Sequence, residues 1–145
     1  MPVPEPQPGL VVSYAYLWRQ EHLSGRTEGA KDRPCVIVTS VRRLADGRTS
    51  VTVVPITHVE PEDGHGVEIP AAVKRALGLD DQRSWVVVSE LNRFVWPGFD
   101  LHPIPRSNDR FAYGLLPPRL FQDIRRSMAG LWRTGRGASV PRDDG

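Results

Sequence analysis

Three short runs dominated by β-branched residues set the limits of what this chain can become: residues 34–41 (PCVIVTSV), 49–56 (TSVTVVPI) and 84–91 (SWVVVSEL). Branching at Cβ leaves few χ1 choices, which handicaps a helix and suits a pleated strand. Residues 9–18 (GLVVSYAYLW) read as a further strand, with Val12, Tyr14 and Tyr16 alternating against Val11, Ser13 and Ala15. Turn residues bound all four. With 13 glycines and 14 prolines in 145 residues, the chain is too heavily punctuated for a helical bundle. Asp46-Gly47 is a hairpin signal, so the runs on either side of it should pair antiparallel.

Two stretches break the β pattern. Residues 70–77 (PAAVKRAL) fit two helical turns stopped by Gly78. Pro117-Pro118 opens a longer helix to about Arg133, with Leu120, Phe121, Ile124, Met128, Leu131 and Trp132 on one stripe. Residues 19–32 and 58–65 read as polar loops. Residues 95–114, broken by Pro97, Gly98, Pro103, Pro105 and Gly114, leave room for one or two short strands. The alternating prolines of residues 1–8 predict an extended lead-in without the apolar segment of a secretory leader. Residues 134–145 read as a disordered tail. The expectation is a single domain over residues 9–133. It is mainly β, a small antiparallel barrel of five to seven strands with a short inserted helix and a C-terminal helix. Such a barrel has no interior room for a cofactor, so function belongs on loops or in a groove between copies.

The 39% hydrophobic and 25% charged fractions are those of a globular protein, and no apolar run is long enough to span a bilayer. Cys35 is the only cysteine, so no internal disulfide can form and the cytoplasm is the expected compartment. The net charge of +2 conceals a local imbalance, because arginines gather on the last helix and its flanks. Arg119, Arg125, Arg126 and Arg133 offer a face for an anionic partner, RNA or an acidic protein.

No histidine or cysteine pair has metal-site spacing, and there is no glycine-rich phosphate loop and no Gly-x-Ser-x-Gly turn. What remains is a set of polar residues at predicted strand ends: Lys31-Asp32-Arg33-Pro34, Pro55-Ile56-Thr57-His58 and Glu90-Leu91-Asn92-Arg93. Arginine offers a permanently charged planar fork for phosphate and threonine a hydroxyl donor, a pairing able to stabilise a pentavalent phosphorus without a metal.

At these residues the chain resembles the MazF/PemK/Kid toxins of type II toxin–antitoxin modules. The family's ordered elements read here as Gly9-Leu10-Val11 with Trp18, Thr27-Glu28, Arg33-Pro34-Cys35-Val36, Pro55-Ile56-Thr57 and Glu90-Leu91-Asn92-Arg93. The resemblance runs from residue 9 to about 131 and implies an SH3-like barrel that dimerises around a groove for single-stranded RNA. It also implies a metal-independent endoribonuclease that is inhibited by a cognate antitoxin. On that match Arg33 and Thr57 are the catalytic pair, with Arg93 beside them on the rim of the fourth strand; Lys31 and Trp96 are further candidates for RNA contact. The chain departs from the pattern at Leu10, where the family has aspartate, and at Phe94, Val95 and Trp96 after the last motif arginine. Those departures leave the general base open between Glu28, His22 and His58. Two other readings share the fold: a non-catalytic module binding RNA or protein, and a CcdB-like gyrase poison.

Overall fold

The computed structural model describes residues 3–26, 31–107, 109–135 and 137–142. Along the chain run β1 (Leu10–Tyr14), α1 (Arg19–Leu23), β2 (Arg33–Arg42), β3 (Thr49–Thr57), β4 (Gly66–Glu68) and α2 (Ala71–Leu77). They are followed by β5 (Trp85–Val87), β6 (Glu90–Val95), β7 (Ala112–Leu115), α3 (Pro118–Arg133) and β8 (Ala138–Pro141).

The strands share one sheet in the order β4-β5-β3-β2-β1-β7, with β6 set off this path between β3 and β8. Every pairing is antiparallel except the parallel one of β6 with β8. The mainly antiparallel sheet with a C-terminal helix matches expectation, but the sheet does not close into a barrel. The reason lies in β3, which serves two neighbours along the edge away from β2: residues 50–53 pair with β6, while Ile56 and Thr57 pair with β5. The sheet forks along β3, and β4 and β7 end its main path without pairing to each other.

Both faces of the sheet are covered, which is why the β-branched runs are apolar at nearly every position. Val11, Val36, Val54 and Val86 face one cluster, which α3 closes with Leu120, Ile124 and Leu131. Val12, Tyr14, Cys35, Ile37, Val53 and Phe94 face the other. Burial pushes the Cys35 thiol up, as befits a small core residue rather than a nucleophile. The stripe expected on α3 is the one that packs, and Trp132 adds an indole N–H bond to the Val88 carbonyl at 3.1 Å. Gly78 ends α2 in the left-handed region at φ 73°, where a Cβ would be strained.

Four local expectations are corrected. The first strand stops at Tyr14 because the backbone beyond it finds other partners: Ala15 N–H donates to the Asp100 carbonyl, and the Asn92 side chain holds both the N–H and the carbonyl of Leu17. The polar stretch from residue 19 carries the single-turn α1, whose entry is fixed by a Glu21 carboxylate accepting from the Trp18 N–H at 3.1 Å. The run at 84–91 is two strands, β5 and β6, because the chain turns at Val88 and Ser89 to reach the other segment of β3. Finally, the stretch expected to be a disordered tail carries a strand, β8, on the edge of β6.

An irregularity in the β2–β3 ladder decides which residues face each other at its open end. Ile37 pairs with Val53 but Thr39 with Thr52, so Val38 is an extra, bulged residue. Beyond it the paired ladder ends with Cys35 opposite Pro55, and continuing that register by two residues would place Arg33 opposite Thr57.

Candidate active site

Residues directly across an antiparallel ladder share a face, so the register brings Arg33 and Thr57 together from sequence positions 33 and 57. Both line one cavity of about 170 Å³ at this end of the sheet, together with Lys31, Asp32, His58 and Asp80. The Arg33 guanidinium lies over the Trp18 ring at 5.0 Å. Its Nε is buried with no hydrogen-bond partner among the described residues. An orphaned buried donor is costly unless something outside the fold completes it. Thr57 accepts the Val59 N–H at 3.2 Å on its hydroxyl oxygen, which orients the side chain and leaves the hydroxyl proton for another acceptor.

The far wall is built by α2 and the turn after it. His58 Nε2 sits 2.7 Å from Asp80 Oδ2, and the other oxygen of Asp80 takes the Lys74 ammonium, also at 2.7 Å. Burial pushes the Asp80 carboxyl up, but the Lys74 hydrogen bond, the His58 ring and the Gln82 N–H together outweigh it and hold the group below its usual range. Behind Arg33, Asp32 pairs with His102 Nδ1 at 2.6 Å, which ties the segment after Leu101 to the start of β2.

Of the residues singled out in the sequence, Lys31, Arg33, Thr57 and His58 thus meet in one cavity. His22 is exposed on α1 and does not line it, and Glu28 lies outside the described residues. Arg93 is not beside the pair. It stands opposite Thr52, five positions before Thr57 on β3 and so roughly 16 Å away along the strand. Its guanidinium bonds the Ser139 hydroxyl at 3.1 Å. Trp96 is half-buried against Phe94, ring centroids 6.1 Å apart, away from the cavity. Sequence reasoning missed Lys74, Asp80 and the His102–Asp32 pair. A signal for the first existed, since Lys74 precedes the buried Leu77 by three residues and shares its face of α2. Among the described residues no three His, Cys, Asp or Glu side chains converge as metal ligands would.

Glu90, from the last motif, is a second polar centre at the back of the Arg33–Trp18 contact. Its Oε1 accepts from the Tyr16 hydroxyl at 3.1 Å and from the Arg19 N–H at 2.9 Å. Burial raises its carboxyl above the usual range, only partly offset by these two donors. A carboxyl raised by folding stabilises the fold while protonated and loses that contribution as pH rises through its raised value. Because a glutamine oxygen can accept both bonds, Glu90→Gln is expected to melt higher than the parent at pH 7. The gap should shrink on acidification to about pH 4, the ordinary glutamate range. Melting curves at the two pH values check this, and a gap that widened in acid would refute it.

No sequence-family model and no curated protein matches the chain. Its fold does match a solved one: the crystal structure of MazE–MazF (Form-III) from Deinococcus radiodurans. That match has a TM-score of 0.53 and 17% identity, covering 88% of this chain and 96% of that one.

Proposed function

We propose that this chain, whose fold is that of a MazE–MazF structure's component, is the toxin of a toxin–antitoxin pair and a metal-independent endoribonuclease acting on single-stranded RNA. In this reading it works as a homodimer and is silenced by a cognate antitoxin laid over the same rim. No helix among the described residues is long and apolar enough to cross a membrane, and the cytoplasm, where messenger RNA lies, is the compartment the reading requires.

The observation that carries it is the pairing of Arg33 and Thr57 in one cavity, with the Arg33 Nε buried and unpartnered. A phosphodiester supplies what that donor lacks. In the reaction the 2′-hydroxyl loses its proton and attacks the neighbouring phosphorus. The new P–O2′ bond forms as the P–O5′ bond breaks, leaving a 2′,3′-cyclic phosphate and a 5′-hydroxyl. Arg33 meets the charge that builds on the non-bridging oxygens, and Thr57 donates its hydroxyl to one of them. Lys31 at the cavity rim holds a flanking phosphate. His58, which lines the cavity where His22 does not, takes the 2′-proton.

The test is to incubate the protein with mixed single-stranded RNA in EDTA and map the ends. Cyclic-phosphate ends are expected from the parent. Thr57→Val, which keeps the shape and removes the donor, should slow their appearance about tenfold. RNA bound without new ends would favour a binding module, and no interaction with RNA would remove the proposal.

A further inference from the structure

The wall opposite Arg33 carries a buried charge that phosphate binding does not use. Lys74 is 4% exposed. Its ammonium donates to Asp80 Oδ1 at 2.7 Å, to the Ser84 hydroxyl at 2.7 Å and to the Gln82 carbonyl. An ammonium has three hydrogens, so all are committed and none is left for a ligand. Lys74 is therefore an anchor, and what it anchors is Asp80. The same Oδ1 also accepts the Gln82 N–H at 3.1 Å, which fixes the carboxylate from two directions and turns Oδ2 toward His58 Nε2 at 2.7 Å. With Nε2 so engaged, the ring nitrogen available for proton transfer is Nδ1. The turn that places the ring is itself clamped next door, by the Val59 N–H on Thr57.

We propose that Lys74 and Asp80 are positioning residues that hold His58 with Nδ1 as the nitrogen accepting the 2′-hydroxyl proton, an inference that rests on the RNA-cleaving reading. The protons balance. Nδ1 takes the 2′-proton, and the departing 5′-oxygen keeps the P–O5′ electron pair and draws a proton from water. The imidazolium then returns its proton to the hydroxide so formed. The charges facing His58 are Asp80 and Lys74 on its own wall, and Lys31, Asp32 and Arg33 across the cavity.

A role through charge has a signature that a purely structural role lacks. Asp80→Asn removes the anion beside the ring, so the acid limb of the kcat–pH profile is expected to move about one pH unit down. Lys74→Met removes the cation that offsets Asp80, so the limb is expected to move the other way. Asp80 is half-exposed, which makes Asp80→Asn the variant that keeps the test alive if Lys74→Met does not fold. His58→Ala should cost kcat about a hundredfold with KM little changed. The same opposed movements should appear in the His58 ring signals titrated by NMR without RNA. Limbs and signals that stay put in both variants, or His58→Ala cleaving at the parental rate, overturn this inference alone. A parent that leaves RNA intact, with His58 still responding to both variants, overturns the RNA-cleaving reading instead.

Discussion

Arg33→Ala is expected to cut the rate of RNA cleavage by a factor of about 10²–10³ while leaving the fold almost untouched. The two halves of that statement come from the same geometry. On the folding side, the arginine contributes a contact with the Trp18 ring at 5.0 Å, a stabilisation of about 0.5–1 kcal/mol, and it brings an unpartnered buried Nε that works against it. Removing both should move the melting temperature by only a few degrees. On the chemical side, no other described residue of the cavity can take its place. The Lys74 ammonium is fully bonded, and Lys31 is an exposed side chain at the rim. Arg33→Lys keeps a charge but not the fork, and should recover less than a tenth of the lost rate. Cleavage by initial rates, beside a melting curve of each variant, checks both halves. A variant that lost cleavage only because it unfolded would contradict the account.

Arg142→Ala should have the opposite profile, a loss of about 3–5 kcal/mol of stability from a residue that does not line the cavity. The Arg142 guanidinium is almost wholly buried. It donates to the Ala15 carbonyl and the Asn92 side chain, each at 3.1 Å, pairs with Asp100 and lies 5.5 Å over the Tyr14 ring. It thereby joins the end of β1, the inner strand β6 and the segment around Asp100. Truncation leaves the Asp100 carboxylate without its ion pair, only 16% exposed and unable to hydrate fully. The melting temperature should fall on the order of 10 °C. Arg142→Met with Asp100→Leu, which removes both charges and keeps the volume, should recover much of that loss. If the single and double variants melt together, the ion pair is not what holds the tail.

These two arginines also mark how far the sequence can be read. Arg33 stands out only because a motif surrounds it; without that motif it reads as a surface arginine at a loop end. Arg142 sits among Pro141, Asp143 and Asp144, a composition that reads as solvated tail, and only its partners 42 to 127 positions away reveal a buried strap. The β2–β3 hairpin and α3 were legible from local patterns, an Asp-Gly turn between β-branched runs and an apolar stripe at helical spacing. The fork at β3 and the split of β5 from β6 were not, because a strand buried on both faces shows no alternation to mark where its neighbours change. For the same reason an open, forked sheet and a closed barrel present one and the same string of apolar residues. Lys74 was overlooked because a lysine on a helix is usually solvated, and its burial depends on three acceptors contributed after Gly78.

The extra residue at Val38 has one more consequence. Counted from the hairpin end, where Arg42 faces Thr49, an unbroken ladder would bring His58 opposite Arg33; the bulge moves the partner back by one, to Thr57. The site is therefore written partly as a count. Substitutions along the two strands leave that count intact, whereas one residue gained or lost within the paired stretches would dismantle the pair in a single step. Such a ladder can drift far in sequence and keep its chemistry, provided that it never changes length.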